Sequence, residues 1–210
     1  MNPTPEKTSV MAPFILMLFL YFIVGLFTVI NQQFQVPLKS ALLPHDGNMT
    51  NALVTLLNFS WFLAYPFSEG FATRWVDRLG YRKTSVYSLL IFIAGLGFYE
   101  AAVLLHIYAP SYITIMGNPI FTGFFIFLSG SFVIGMAVTI LQVVTGLYLD
   151  VNPVGKTTPL QRQMIGGTTN SIGMAIGPLV VSYIIFYGIP LHNVQSREFI
   201  WPVICLIAII

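Results

Sequence analysis

Charged residues are scarce in this chain of 210 residues, where only 8% of positions are Asp, Glu, Lys or Arg. Soluble domains carry roughly 25% charged residues, because most of their surface faces water. Sixteen charges cannot cover the surface of a water-soluble protein of 23.4 kDa. The scarcity excludes a soluble enzyme, and the 56% of hydrophobic residues excludes a disordered or collagen-like chain.

Several other features are missing from the sequence. The net charge of +2 is too small for a nucleic-acid-binding protein, and the single cysteine, Cys205, cannot form an intrachain disulfide. The histidines lack metal-ligand spacing, and no phosphate-binding loop or nucleophile elbow is present. We therefore predict an integral membrane protein that is not an enzyme, with no catalytic residue, metal site or cofactor.

Long intervals without charge indicate membrane-spanning helices. The interval between Glu100 and Asp150 holds 49 residues, whereas one helix needs only about 20 to cross the hydrocarbon core. A loop inside this interval is indicated by four turn-forming residues: Pro110, Gly117, Asn118 and Pro119. A β-barrel is disfavoured, because it needs alternating strands of about 10 residues rather than long apolar runs.

The predicted fold is an all-α membrane protein, with residues 1–11 as a cytoplasmic tail and residues 12–210 as one transmembrane bundle. The predicted spans lie near residues 12–35, 51–73, 84–108, 121–148 and 164–187. A sixth span begins near Phe199, and the 12 residues 199–210 are too few to cross a bilayer. We therefore expect a truncated last helix and a chain that is a fragment.

Basic residues are concentrated in alternate loops. Seven of the nine lie on one side of the predicted membrane: Lys7, Arg74, Arg78, Arg82, Lys83, Lys156 and Arg162. The other side has only Lys39 and Arg197. Because cytoplasmic loops carry an excess of Lys and Arg, the N-terminus is predicted to be cytoplasmic.

The connection between the second and third predicted spans has an unusual order, Asp77-Arg78-Leu79-Gly80-Tyr81-Arg82-Lys83. Gly80 permits a tight reversal, and Asp77 is placed to interact with a basic residue or a helix N-terminus. An ordinary cytoplasmic loop would need only basic residues. The order therefore favours a specific motif, which we name the gating loop (residues 77–83).

This order resembles the signature loop of the major facilitator superfamily, Gly-x-x-x-Asp-Arg-x-Gly-x-Arg-Lys, with Thr73 in place of the first glycine. The resemblance implies a cytoplasmic latch between two transporter halves, formed here by Asp77, Arg78, Gly80, Arg82 and Lys83. It also implies that the chain is the N-terminal six-helix half, built as an inverted three-plus-three repeat, and that its partner is a missing C-terminal six-helix half.

Three further segments resemble the fucose–proton symporter family, which includes bacterial glucose/galactose permeases. These are residues 58–65 (NFSWFLAY), residues 140–143 (ILQV), and Arg162 followed by residues 170–173 (NSIG). The resemblance implies transport of a monosaccharide of the fucose, glucose or galactose type. It also implies a location in the bacterial inner membrane.

The family resemblance places Gln33 and Gln142 where proton-coupled members have an aspartate and a glutamate. Gly167 replaces a family glutamine, and Asn170 keeps a family asparagine. An amide cannot titrate, although it can hydrogen-bond a sugar hydroxyl as donor and acceptor. We therefore expect no proton coupling through these two positions, and sodium coupling or uncoupled transport in its place.

The predicted substrate ligands are the amides Gln33, Asn58, Gln142 and Asn170, with Trp61 and Tyr65 as stacking partners for a sugar ring. Asn58, Trp61 and Tyr65 share one helical face by their spacing. Helix packing is the alternative for each of them, and the wet end of the first span is the alternative for the polar residues 31–33. Glu100 is a possible coupling residue, unless it lies at the membrane interface.

Two alternatives stay open at this stage. A major facilitator transporter of a non-sugar solute would keep the fold, because Gly167 and the residues after Gln142 depart from the family pattern near the pocket. A truncated, non-transporting membrane sensor would bind a solute without moving it. The small-residue stripe Gly173-x-x-x-Gly177-Pro178 is interpreted as helix packing.

Overall fold

The computed structural model describes residues 11–43, 48–115, 118–189, 198 and 200–203. The predicted tail 1–11 lies outside the described residues except for Met11, and so does most of the predicted last span 199–210. The elements in chain order are α1 Met11–Gln33, α2 Gln35–Leu42, α3 Asn48–Tyr108, β1 Tyr112–Ile115, β2 Asn118–Phe121, α4 Gly123–Val151 and α5 Pro159–Val180, followed by a π-helical turn Val181–Ile185.

Four helical segments in the described part are long and apolar enough to cross a membrane: Met11–Lys39, Met49–Tyr108, Gly123–Val151 and Pro159–Ile185. Large apolar side chains such as Phe19, Phe67 and Tyr183 are exposed on their outer faces. A soluble protein would bury such side chains, whereas a lipid-facing helix surface accommodates them. The fold is that of a multi-pass helical membrane protein.

Helix α1 is separated from α2 by a break at Phe34. Pro37 explains the position of this break, because its ring clashes with the carbonyl four residues earlier and it has no backbone N–H to donate. That carbonyl belongs to Gln33. The break therefore frees a backbone acceptor at the end of the polar stretch of residues 31–33.

Helix α3 reverses direction at Gly80, where φ is 77° and ψ is 166°. The rings of Trp75 and Tyr87 are 6.2 Å apart, although twelve positions along a straight helix span about 18 Å. Trp61 and Tyr99, still further from the turn, line one cavity. The element is thus a hairpin of a first arm (residues 48–79) and a second arm (residues 81–108), on which the predicted spans 51–73 and 84–108 fall.

The connection after α3 differs from the predicted loop, because residues 112–115 and 118–121 pair as antiparallel strands. Tyr112 lies opposite Phe121, and Ile115 lies opposite Asn118. Residues 112–115 read Tyr-Ile-Thr-Ile, and aromatic and β-branched side chains favour the extended backbone of a strand. The structure is therefore mostly helical and not purely helical as the sequence predicted.

Helix α4 lies between both arms of α3 and is the most buried of the long helices. Ser88 of the second arm donates a hydrogen bond to the carbonyl of Ala137 at 2.6 Å, and Ser131 of α4 donates to the carbonyl of Leu57 at 3.2 Å. A Cβ at Gly130 would approach the second arm closely, so only glycine allows this spacing. Small residues and hydroxyls therefore hold the three segments together, as is typical in membranes.

Helices α1 and α5 approach so closely that glycine is required between them. A Cβ at Gly173 would overlap the carbonyl oxygen of Phe22, and one at Gly177 would lie 3.0 Å from the side chain of Val29. The packing role predicted for this stripe is confirmed. In lipid such close contact replaces the hydrophobic drive that is available in water.

The connection from α4 to α5 is organised by Arg162, which is 2% exposed. Its Nε donates to the carbonyl of Leu149 at 2.6 Å, its Nη2 to that of Asp150 at 2.8 Å, and its Nη1 to that of Thr157 at 2.8 Å. A cation at the last carbonyls of α4 complements the negative end of the helix dipole. Arg162 thus fixes where α5 begins relative to α4.

We expect Gly80→Ala and Gly97→Ala to change stability in opposite directions. The backbone of Gly80 lies in a region almost restricted to glycine, so alanine there should cost about 1–3 kcal/mol. Gly97 is helical with open space around it, so alanine should add roughly 0.5–1 kcal/mol. Thermal unfolding of the detergent-purified protein measures both, and a neutral Gly80→Ala variant would show that the reversal needs no glycine.

Gly173→Val should destabilise the contact between α1 and α5. Overpacking a tight contact costs roughly 1–3 kcal/mol, and a valine side chain at this position meets the α1 backbone. The matched variant is Gly167→Val on the same helix, where nothing lies within 4 Å and a change of under about 0.5 kcal/mol is expected. Equal unfolding temperatures for the two variants would contradict close packing at Gly173.

Candidate functional site

Polar side chains lie close together near the junction of α1 and α2. Gln33 is half-buried beside the break, and Asn31 is buried one turn inside α1. The hydroxyl of Tyr99 on the second arm donates to Asn31 Oδ1 at 3.3 Å. Discontinuous helices supply both side chains and freed backbone groups to solute sites in transporters. The predicted ligand Gln33 is thus the last residue of α1, beside the junction with α2.

The first arm carries the predicted face of Asn58, Trp61 and Tyr65. Asn58 is half-buried, and its buried Oδ1 accepts no hydrogen bond from the described residues. Trp61 is 1% exposed and belongs to the main hydrophobic core, whereas Tyr65 is half-buried. The Tyr65 hydroxyl lies close to Thr28 of α1. The three residues share a helix but differ in what they contact.

The two remaining predicted amides lie on different helices. Gln142 of α4 is half-buried, and its side chain makes no hydrogen bond within the described ranges. Asn170 of α5 donates from Nδ2 to the carbonyl of Tyr21 at 3.0 Å, and it packs on the backbone at Gly25. Asn170 therefore already serves to hold α5 on α1, and its Oδ1 is the group left for another partner.

Contacts join several of these elements around α1. Tyr65 of the first arm lies close to α1. Tyr99 of the second arm and Asn170 of α5 each donate a hydrogen bond to α1. A cavity of about 20 Å³ lies between α1 and the two arms, and its lining includes Trp61 but none of the other five predicted ligands. Trp61 therefore differs from the other predicted ligands in being almost fully buried.

Glu100 lies on the second arm and is half-buried. Its Oε2 is buried and has no hydrogen-bond partner in the part of the chain that the structure describes. Within the same ranges, no three His, Cys, Asp or Glu side chains form a group able to hold a metal ion. Glu100 is thus an isolated acidic group within an apolar segment.

The gating loop is exposed at the turn between the two arms. Asp77, Arg78, Gly80, Arg82 and Lys83 are all exposed, and the four charged side chains form no ion pair with the described residues. The rings of Tyr81 and Tyr148 are 5.3 Å apart, which places this turn beside the end of α4. The basic residues after α4, Lys156 and Arg162, therefore lie at the same end of the bundle.

An apolar groove of about 610 Å³ lies between the start of α1 and the start of the second arm. Met17, Leu20 and Leu89 form part of its wall, and Arg82 also lines it. The sequence offered no sign of this groove, because it arises only when the two segments are placed side by side.

Sequence reasoning missed the roles of Tyr99 and Arg162. Tyrosine is common in apolar segments, so nothing in the sequence marks Tyr99 as the partner of Asn31. Arg162 was noted for its resemblance and for its charge, while its function as a buried cap of α4 needs the three-dimensional contact. A lone arginine after a helix end was the available signal, because cations favour the C-terminal end of a helix.

The architecture as a whole is that of a multi-pass helical membrane protein. No protein-family model and no curated protein sequence matches the chain. Among solved structures, the inward-open conformation of the xylose transporter XylE from E. coli matches with a TM-score of 0.60 and 15% sequence identity. The match covers 96% of this chain and 47% of that one, so the chain spans about half the length of the transporter.

This likeness supports the fold predicted from the gating loop. The chain shares the fold of this transporter, whereas membership of the major facilitator superfamily, the narrower fucose–proton symporter family and the count of six helices stay predictions. At 15% identity the match does not extend to residue roles.

Proposed function

We propose that this chain is one half of a secondary transporter that moves a monosaccharide across the membrane by alternating access. The observation that carries the proposal is the fold shared with a xylose transporter over 96% of the chain. The exposed gating loop and the polar break in α1 support it. In such transporters the solute binds near the bilayer midplane and the two halves rock around it.

A sixth helix and a second half complete the proposed transporter. The groove beside α1 is lined mainly by apolar side chains, which is compatible with contact by an apolar helix. Helix α5 is only 22% buried over its most apolar window, compared with 61% for α4. The uncovered face of α5 therefore supports contact with a further domain, and the inverted repeat is part of the same proposal.

The proposed sugar ligands are the amides Gln33, Asn58, Gln142 and Asn170, with Tyr65 as a stacking partner. A half-buried amide without a partner, as at Gln142, is suited to exchange hydrogen bonds with a hydroxyl. Trp61 was included in the predicted set as a second stacking partner. Its nearly complete burial favours a supporting position behind the other ligands.

The gating loop is proposed to act as the latch between the halves, on the cytoplasmic side of a bacterial inner membrane. Its charged side chains are exposed and free of ion pairs within the described ranges, so they are available to a second half. The clustering of basic residues at this end of the bundle supports a cytoplasmic N-terminus.

Coupling is proposed to use sodium or no ion, in preference to protons. Gln33 and Gln142 cannot change charge, because an amide does not titrate. Glu100 is the candidate coupling residue, since a carboxylate oxygen is a suitable ligand for a hard cation. Acidic groups in membrane segments are commonly functional, which supports this choice.

Gln33→Leu and Gln142→Leu should each lower sugar uptake about tenfold or more. Removing one partner of a buried hydrogen bond costs about 1–3 kcal/mol, and 1.4 kcal/mol is a factor of ten. The measurement is uptake of labelled xylose, glucose, galactose and fucose into vesicles containing the protein made from its native gene. Gln32→Leu is the matched control, because Gln32 is exposed beside Gln33.

Each alternative has a distinct outcome in this assay. Sugar binding without flux would favour a sensor, and uptake of another solute class alone would favour a non-sugar transporter. Equal losses in the Gln32→Leu and Gln33→Leu variants would argue against Gln33 as a ligand.

Glu100→Gln should abolish ion-driven accumulation while leaving sugar exchange at equilibrium intact. The glutamine keeps the size of the side chain and removes its charge. Accumulation is measured in vesicles with an imposed sodium gradient, and Glu69→Gln on an exposed position is the control. Loss of accumulation when only the proton gradient is collapsed would contradict the preference for sodium or uncoupled transport.

A further inference from the structure

The small cavity between α1 and the two arms of α3 has both apolar and polar walls. Phe27, Phe92 and Ile134 contribute apolar surface, whereas Asn31 and Tyr99 contribute polar groups. The Trp61 indole completes the lining from the first arm. The cavity thus joins four segments that are far apart in the sequence, namely α1, the two arms of α3, and α4.

Two hydrogen-bond donors at this cavity have no acceptor in good geometry among the described residues: Asn31 Nδ2, and Trp61 Nε1, which has the Tyr65 hydroxyl nearby as an alternative. Asn31 is 6% exposed, Trp61 1% and Tyr99 3%, so bulk water does not reach them. The Tyr99 hydroxyl already donates to Asn31 Oδ1 at 3.3 Å. Buried donors in native proteins nearly always have a partner, which is often an ordered water molecule.

The size and chemistry of the cavity determine what it holds. A cavity of about 20 Å³ accommodates one water molecule and is far too small for a sugar. Because both unpaired groups are donors, the occupant must accept hydrogen bonds, which excludes a metal cation. A water molecule accepts from both donors and has two protons for the oxygens of Asn31 and Tyr99.

We propose that Asn31, Trp61 and Tyr99 bind one structural water molecule that ties α1 to both arms of α3. Trp61 is then a positioning residue, which holds the face of Asn58 and Tyr65 against α1. The site lies near the junction of α1 and α2, where Pro37 leaves the Gln33 carbonyl without its helical N–H partner. This water site is independent of which solute the protein carries.

The first test observes the indole N–H of Trp61 by NMR in lipid nanodiscs, with the full protein labelled with ¹⁵N at its three tryptophans. Trp61→Phe assigns the signal. We expect magnetisation transfer between the Trp61 indole proton and a bound water, and we expect the transfer to be lost and the signal to shift in Asn31→Leu. Tyr99→Phe is the milder variant, because it keeps the ring stacked on Phe127 at 3.7 Å.

The Tyr65→Phe variant tests whether the Tyr65 hydroxyl, and not a water molecule, accepts the hydrogen bond from the Trp61 indole. The Tyr65 hydroxyl lies near the indole, so a signal that shifts in Tyr65→Phe and not in Asn31→Leu would assign the N–H to Tyr65 and overturn the proposal. Absence of any transfer from water in the unsubstituted protein would also overturn it.

The second test uses the sign of a stability change. In the Tyr99→Phe background the hydrogen bond from the tyrosine to Asn31 is already absent, so its loss does not contribute to the effect of Asn31→Leu. If a water molecule satisfies Asn31, the leucine should lower the unfolding temperature. The water then loses its hydrogen bonds to Asn31, and the Trp61 N–H loses its acceptor if the water leaves. If the cavity is dry, the leucine removes an unsatisfied amide and should raise it, which would overturn the proposal.

Discussion

Every polar group within the hydrocarbon region must find its partner inside the protein, because lipid offers none. The bundle meets this constraint with side chains that bond to the backbone of another segment. Ser88, Ser131 and Asn170 each donate to a carbonyl across a helix contact, and Arg162 caps the end of α4. Each of these bonds satisfies a buried polar group and also sets the position of one segment against another.

The same medium explains why glycine decides where helices meet. Lipid is as apolar as leucine, so association depends on close packing and on hydrogen bonds. Gly173 brings α5 onto α1, and Gly130 brings α4 onto the second arm. These glycines set the distances at which α1, α3, α4 and α5 pack against one another.

The sequence predicted the membrane fold and the chain reversal at Gly80 well, because both depend on local composition. Charge-free stretches are long enough to count, and the order around Gly80 determines a reversal through a backbone angle that glycine favours. The strands after α3 were predicted as a loop, because Pro110, Gly117 and Pro119 dominate that segment. The prediction of ligands was less complete. The helical spacing does not distinguish Asn58, Trp61 and Tyr65, whereas in the structure Trp61 is almost fully buried and the other two are half-buried.

The amino-acid sequence by itself determined that the chain lies in a membrane, where it reverses, and which end of the bundle carries the basic residues. These properties follow from hydropathy, glycine and charge, which act over a few residues at a time. Only the tertiary structure decided that Tyr99 meets Asn31, that Asn170 bonds to α1, and that Trp61 is enclosed. Those contacts join segments up to 149 residues apart, and their geometry depends on the packing of whole helices, which no local pattern encodes.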